Sequence, residues 1–262
     1  MKEYPLISII TITYQAEKVL ERTAESVLRQ TYPAIEYLLV DGNSSDSTLS
    51  LIMAFEGKFS AANRPLHWIS EPDKGIYDAM NKGISMATGE YVWFMNAGDK
   101  ISSDDCLEKI MQQALWEKGK TDLPDFLYGE TKIVDEQGAI MGDRRLKAPE
   151  KLDWKSFRMG MLVCHQSMLV KKSIVPSFDT SYKYSADFDW TIRCLRKAKN
   201  IYNTHLVISH FLDGGVSKQK MKASLKERFH IMSKNYGYLP TVLRHFWFIC
   251  RAGWFKIFHG WI

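Results

Sequence analysis

The stretch LISIITITYQAEKVLERTAESVLRQTYPAIEYLLVDGNSSDST, residues 6–48, decides the fold. It opens on a nearly unbroken apolar run at Leu6–Thr13, crosses a helix-like stretch at Glu17–Gln30 and returns to a second run at Ile35–Val40. Strands this apolar are covered on both faces, as in parallel sheets. Strand–helix–strand alternation predicts such a sheet with helices on either side. The pattern continues outward, with strand-like runs at Leu66–Ser70 and Tyr91–Met95 and helix-like stretches at Asp46–Phe55 and Gly75–Ala87. Beyond residue 100 the expected order is a helix at Ser102–Trp116, a strand at Phe126–Val134 and a strand at Met161–Val170. A helix at Ala186–Ala198 and a strand at Tyr202–His210 follow. The fold class expected is α/β.

Composition bounds the reading. The chain has 262 residues, 45% of them hydrophobic and 13% aromatic, far too apolar for disorder. No basic segment or small-residue cleavage site precedes the first strand, so no signal peptide is expected. Cys106, Cys164, Cys194 and Cys250 lie tens of residues apart without a CxxC spacing, which implies neither a zinc site nor a disulfide framework. Isolated buried thiols of a reducing cytosol are the simplest account. The net charge of +5 is uneven: Val216–Ile262 carries nine Lys or Arg and one Glu, leaving 26 basic and 29 acidic residues before it. A basic tail on a slightly acidic body suggests a separate partner for the tail.

Polar residues gather where each early strand stops. Thr13 and Tyr14 follow the first, Asp41, Ser44, Ser45 and Asp46 the second, Glu71, Asp73 and Lys74 the third, and Asn96 and Asp99 the fourth. Open α/β sheets bind ligands outside the carboxyl ends of their strands. Singly, each has a plain reading: Ser44 or Asp46 as a helix cap, Asn96–Asp99 as a turn.

The segment Tyr14–Lys18 holds no glycine, which argues against a GxGxxG dinucleotide site, and no GxxxxGK[ST] loop is present. A phosphate ligand beside so many carboxylates needs a cation between them. Carboxylate oxygens select hard divalent ions such as Mg²⁺ or Mn²⁺. The chemistry points to a metal-bridged nucleotide diphosphate.

Three segments, Ser8–Tyr14, Val40–Thr48 and Phe94–Asp99, resemble the signature segments of family 2 glycosyltransferases with the GT-A fold. Glu71–Gly83, Cys164-His165-Gln166, Ser185–Trp190 and His210–Ser217 are similar to a subset that builds bacterial surface polysaccharides such as capsule or lipopolysaccharide, the colanic-acid type among them. The resemblance spans roughly residues 5–217. It implies a GT-A-type, mostly parallel sheet flanked by helices and an inverting, metal-dependent transfer from a nucleotide-diphosphate sugar.

Carried over by position, Thr13 and Tyr14 would contact the nucleoside and Asp41 the base edge. Asp73, Asp78 and Asn81 would lie near base or donor sugar, and Asn96 would contact the ribose. Asp99 would bind Mn²⁺ or Mg²⁺. Read from the residues alone, His210, just before Gly214-Gly215, is either a structural histidine or a second metal or phosphate contact through its neutral imidazole. Acids are commoner at positions 96 and 98 than the Asn and Gly found here, which leaves Asp99 as the main protein ligand. Asp187 resembles the family's catalytic base, although Ala186 replaces the preceding Glu; alternatively it is a first-turn acid of the helix that follows. His165 is open between a ligand and a structural residue. The implied acceptor is a saccharide, commonly lipid-linked.

Drawn as a helix, Leu239–Ile262 places Arg244, His245, Arg251, Lys256 and His259 within about 140° of arc, with aromatic residues over much of the rest. Such a helix lies in the interface of an anionic membrane. The alternative is packing on the body or on a second copy in a homodimer. The domain reading is therefore a glycosyltransferase domain at 1–216, with donor binding at about 1–100 and the acceptor and catalytic part at about 101–216. Residues 217–262 form a membrane-association tail, which places the protein on the cytoplasmic inner face of the bacterial membrane. No nucleic-acid-binding motif accompanies the basic tail. A non-catalytic nucleotide-sugar-binding scaffold is the rival reading, and a nucleotidyltransferase is weaker for want of a Gly-rich phosphate loop.

Overall fold

The structure, a computed structural model, describes residues 4–118, 123–214 and 220–259. Its first part runs β1 (Ile7–Thr13), α1 (Leu20–Leu28), β2 (Ile35–Asp41), α2 (Thr48–Ala61), β3 (Leu66–Ser70), α3 (Ile76–Met86) and β4 (Tyr91–Phe94). Then come β5 (Lys100–Ile101), α4 (Cys106–Lys118), β6 (Phe126–Val134), β7 (Ile140–Asp143), β8 (Met168–Lys171), α5 (Ala186–Lys197) and β9 (Ile201–Leu212). Two helices close the chain, α6 (Met221–Tyr236) and α7 (Tyr238–His259).

One sheet carries the strands in the order β3-β2-β1-β4-β8-β6-β9-β5, with β7 beside β6. The pairs β3–β2, β2–β1 and β1–β4 are parallel, as is β6–β9; β8 runs antiparallel between β4 and β6. The α/β class and the helix-covered sheet expected from the sequence are what the chain adopts. Alternation along the strands explains the continuous hydrophobicity. Ile10, Ile12, Leu38, Val40, Val92 and Phe94 face one core, and Ile7, Ile9, Tyr37, Leu39, Tyr91 and Trp93 face the other. Period-two alternation with both faces buried gives an unbroken apolar run.

Three departures have physical causes. The strand expected at Met161–Val170 begins only at Met168, after a single 3₁₀ turn at His165–Ser167. Met161 and Val163 are apolar because they fill the core from a loop, not because they pair. The short strands β5 and β7 were too brief to show a period. Helix α6 falls where charge had hidden it: Lys222, Lys226 and Arg228 share it with Ile231 and Met232, both buried in the core.

Helix α6 is built into the body. Glu227 accepts the backbone N–H groups of Lys183 and Tyr184 at 2.9 Å each, and Ser224 Oγ lies 2.9 Å from Ser185 Oγ. The expected boundary between residues 216 and 217 falls at 215–219, outside the described residues, as do Lys218 and the end of the His210–Ser217 motif. The side chains of Arg251, Trp254, Lys256 and His259 are likewise outside what is described. All four cysteines are free; Cys106 and Cys194 are buried, Cys164 partly so, and Cys250 is exposed. Among the described residues no helix is long and apolar enough to cross a membrane.

Glu36 anchors the amino ends of the central strands. This buried carboxylate accepts hydrogen bonds from Ser8 Oγ, from Thr88 N–H at 2.6 Å and Oγ1 at 2.7 Å, and from Gly89 N–H at 2.9 Å. Burial disfavours its charge, but these donors more than offset it and hold its pKa below the ordinary range. Its stabilisation is therefore full above about pH 4.3, the unfolded value, and is lost as pH falls through the folded value. Glu36→Ala should cost about 3 kcal/mol, since buried donors lose their acceptor. In urea titrations, the margin of wild type over Glu36→Gln should be greatest at neutral pH and shrink below about pH 4; a margin independent of pH would refute the ionised state.

Candidate active site

Parallel register sets the first half of the site. Thr13 ends β1 opposite Asp41, which ends β2, and Asp41 in turn lies opposite Ser70 at the end of β3. The Asp41 carboxylate is wholly buried. Oδ1 accepts from Thr13 Oγ1 at 3.0 Å and Ser44 Oγ at 2.6 Å; Oδ2 accepts from Ser44 N–H at 2.9 Å and Ser70 Oγ at 2.7 Å. Burial raises the cost of its charge, yet four donors hold its pKa below the ordinary range. Three of those donors are hydroxyls that rotate, so a ligand N–H can take the place of one.

Two loops close around it. Gln15 and Asn43 both have positive φ, 52° and 63°, a conformation that concentrates at functional turns. Gln15 N–H donates to Ser44 Oγ at 2.9 Å, and Asp46 accepts from Thr48 and Glu17 N–H groups, so the loops after β1 and β2 form one unit. Tyr14 is 67% exposed, an unencumbered aromatic face beside this unit. Gly42 lets Asp73 and Tyr14 come close: a Cβ there would collide with Asp73 Oδ2 and lie 3.4 Å from the Tyr14 ring.

Asp73 and Asp78 also order the start of α3, accepting the N–H groups of Gly75 at 2.7 Å and Lys74 at 3.0 Å. Asn81 lies further along α3. Its amide clamps the backbone of Phe178 from both sides, donating to the carbonyl at 3.0 Å and accepting from the N–H at 2.7 Å.

After β4 the chain turns at Asn96–Asp99, closed by Asp99 N–H to Asn96 C=O at 3.0 Å. Gly98 takes φ of 97° there, and a Cβ would meet Leu212 at 2.8 Å, so the position tolerates little else. Buried Asp99 accepts from Leu212 N–H at 2.8 Å and from Gln166 Nε2 at 2.6 Å. With only two donors, burial wins and pushes its pKa up to about 6, against the pull of Leu212, Gln166, His165 and Arg22.

Asp187, in the first turn of α5, is joined to this turn by a chain of contacts. Tyr77 donates its hydroxyl to Oδ1 at 3.2 Å, and His165 Nδ1 lies 3.3 Å from Oδ2. The other imidazole nitrogen, Nε2, lies 2.9 Å from Asn96 Nδ2. With the amide donating, Nε2 is the acceptor and Nδ1 carries the proton toward Asp187. Asn96 Oδ1 is left buried without a partner. Burial works against the Asp187 charge, but the His165 contact, the Arg228 guanidinium and the Phe188 N–H hold its pKa below the ordinary range. Arg228 comes from α6, 5.9 Å above the Phe188 ring.

His210 sits on β9 opposite Lys100. Burial and the charges of Lys100 and Lys132 lower its pKa, keeping the imidazole neutral, and its Nδ1 is buried without a hydrogen-bond partner. Among the described residues no group of three or more His, Cys, Asp or Glu side chains gathers to hold a metal. Asp99 and the orphaned Asn96 Oδ1, in one turn, and neutral His210 on β9 each carry an atom of a kind that divalent cations accept. Mg²⁺-type sites commonly use one or two carboxylates and complete their coordination with substrate phosphates and water. Few protein donors of this kind suit a cation that brings a diphosphate and water with it.

Gln166, Tyr77, Ser70 and Arg228 have no role in the sequence reading. Gln166 and Tyr77 lay inside recognised motifs, which was the one available signal. Ser70 read as the end of a strand, and Arg228 as one charge among many.

A family model described as Glycosyl transferase family 2 matches residues 8–174. An uncharacterized glycosyltransferase of Mycobacterium tuberculosis is 32% identical over 199 residues, covering 74% of this chain and 70% of its own. A PGL/p-HBAD biosynthesis glycosyltransferase of Mycobacterium bovis is 26% identical over 248 residues, covering 93% and 91%. Bacillus subtilis TuaG, assigned to teichuronic acid biosynthesis as a glycosyltransferase, is 25% identical over 247 residues, covering 90% and 94%. Among solved structures, S. aureus TarS 1–349 in complex with UDP superposes with a TM-score of 0.68 at 19% identity, covering 97% of this chain and 75% of that one. The chain spans 40% of the longer TarS structure. Mannosyltransferase PcManGT from Pyrobaculum calidifontis, in complex with GDP-Man and Mn²⁺, gives 0.60 at 14% identity, covering 98% and 82%. At these identities the structural likeness is one of fold.

The carboxylates of this site should titrate apart. Carbon-13 NMR of labelled aspartate should show Asp99 with a midpoint near 6 and Asp41 and Asp187 below the ordinary range. Because the Asp99 value is raised, its contribution favours the folded state most at low pH and declines as pH rises through about 6. An Asp99 midpoint near 4 would show that burial does not dominate there.

Proposed function

This chain belongs to glycosyl transferase family 2, and we propose that it moves a sugar from a nucleoside-diphosphate donor to a saccharide hydroxyl with inversion. The observation that carries the reading is the chain of contacts that joins Asp99 to Asp187 through Gln166, His165 and Asn96, in a sheet whose β2 ends on the buried Asp41. The nucleotide bound to TarS and the GDP-Man and Mn²⁺ bound to PcManGT support a nucleotide-sugar donor and a divalent cation. The biosynthetic relatives support a place in building bacterial surface glycans.

In this reading Tyr14 stacks on the base, and Asp41 accepts a base N–H in exchange for one of its hydroxyl partners. Thr13 orients Asp41, and Asp73 lies against the same loop. Asn96 turns its unpartnered Oδ1 to a ribose hydroxyl. Asp99, with His210, would hold Mn²⁺ or Mg²⁺, which when bound neutralises charge gathering on the departing diphosphate. Asp187 accepts the proton of the acceptor hydroxyl as that oxygen forms its bond to the anomeric carbon and the bond to the diphosphate oxygen breaks. One displacement on the face opposite the leaving group inverts the anomeric centre. His165 and Tyr77 hold the carboxylate in place, because both of its oxygens are engaged from the protein side.

Residues of about 1–100 serve the donor, and those of about 101–216 supply the base and the acceptor side. The acceptor is lipid-linked, and the basic C-terminal segment holds the enzyme at the inner face of the cytoplasmic membrane. The test is Asp187→Asn with Mn²⁺ and a panel of nucleotide-sugars. Donor binding by calorimetry should stay within about twofold, while transfer falls by about 10²–10⁴. Full transfer by the variant would remove Asp187 as the base. No release of nucleoside diphosphate by wild type from any donor would favour a pure binding protein.

A further inference from the structure

Helix α7 is not a free amphipathic helix. His245, expected on a solvent-facing basic arc, turns inward: its Nδ1 lies 2.9 Å from Thr241 C=O and its ring stands edge-on to Phe229 and Phe248. Thr241 is buried, and Phe248 packs against the main core. The opposite side carries Leu239, Leu243 and Phe246, 66%, 62% and 66% exposed. Spaced i, i+4 and i+7, they fall within about 60° of arc.

Beside this stripe, Arg158, Met232, Tyr236, Pro240, Thr241 and Arg244 line a pocket of about 140 Å³. Arg158 lies 5.2 Å over the Tyr236 ring, and Arg244 Nη1 contacts Met159 Sδ at 3.2 Å. Neither guanidinium has a carboxylate partner among the described residues; the arginines that do are Arg29 and Arg193. Behind the pocket, Tyr236 stacks on Trp154, which carries Arg196 at 4.3 Å and Lys155 at 5.9 Å. Nearby Asp153 is engaged by Ser156. Two guanidinium forks without acids match a phosphate, which they bind through paired N–H donors. The volume is well below the roughly 300–1,000 Å³ of ordinary ligand sites, so a nucleotide-sugar does not fit.

We propose that this pocket seats the phosphate of an anionic phospholipid headgroup while Leu239, Leu243 and Phe246 enter the acyl boundary beside it. The inference rests on the membrane-surface reading of the C-terminal segment and gives it an orientation. Apolar side chains at the acyl boundary with cations at headgroup level is the arrangement of an interfacial helix. A second copy fits the same face poorly, because a two-fold contact across the stripe would bring the two cationic rims together.

The test is co-sedimentation of the full chain with vesicles of phosphatidylcholine alone or with about one-third phosphatidylglycerol. Wild type should bind the anionic vesicles at least about tenfold more tightly. Arg158→Gln/Arg244→Gln should lose most of that preference. Lys222→Gln/Lys226→Gln, which removes equal charge from exposed positions of α6, should lose threefold at most. Arg158→Gln alone, at an exposed position, should show the same direction should the double variant fold poorly. Equal losses from both double variants would overturn the pocket while leaving membrane binding intact. Failure of wild type to bind any vesicle would overturn both. A dimer broken by Leu243→Ser/Phe246→Ser, without vesicle binding, would assign the face to a second copy. Thermal stabilisation by inorganic phosphate that vanishes in Arg158→Gln/Arg244→Gln, without a vesicle preference, would assign the pocket to a soluble anion.

Discussion

Two hydrogen bonds to Asp99 tie the two halves of the sheet together at the candidate site. One comes from Leu212 at the end of β9 and the other from Gln166 in the loop before β8. Asp99 itself belongs to the turn after β4, so its carboxylate joins the parallel first half of the sheet to the mixed second half. The residue next to Gln166 is His165, which reaches Asp187 and Asn96. Remove the Asp99 carboxylate and the loop that carries the Asp187 partner keeps its backbone bond from Trp93 but loses the one that ties it to the β4 turn through Gln166. The proposed metal ligand is therefore also a structural joint.

The three central carboxylates differ in what surrounds them, and counting donors explains their opposite behaviour. Asp41 and Glu36 each receive four hydrogen bonds, enough to favour the ionised form in spite of burial. Asp99 receives two and is driven toward the neutral form. A cation would reverse that balance, since an adjacent positive charge favours the carboxylate. The proposed cation ligand is thus the carboxylate whose charge the protein itself leaves least supported, whereas Asp41 is supported from the start.

The strands β1 to β4 were legible because burial on both faces leaves an unbroken apolar run, and the acids at their ends were legible because sheets of this kind end at ligands. Asp41, Asp99 and Asp187 could be named for that reason and by family likeness. Their partners could not: Gln166 lies 67 positions from Asp99, and Tyr77 lies 110 from Asp187, distances over which a single sequence carries no pairing signal. Met161–Ser167 misled because apolar residues filling a core from a loop look like a strand. The C-terminal helices misled in the opposite way, since charge on α6 concealed the two residues that bury it, Ile231 and Met232.

The position of α6 has a consequence for how the protein comes into being. Glu227 caps the loop that leads into α5, and Arg228 lends its charge to Asp187. A chain emerging from the ribosome exposes its amino-terminal segments first, and β1 to β4 with their helices can pair among themselves as they appear. The surroundings of Asp187 stay incomplete until Arg228, more than 130 residues after β4, has emerged. On the proposed function, a nascent chain would complete its donor side well before its catalytic side, which waits for the C-terminal helices.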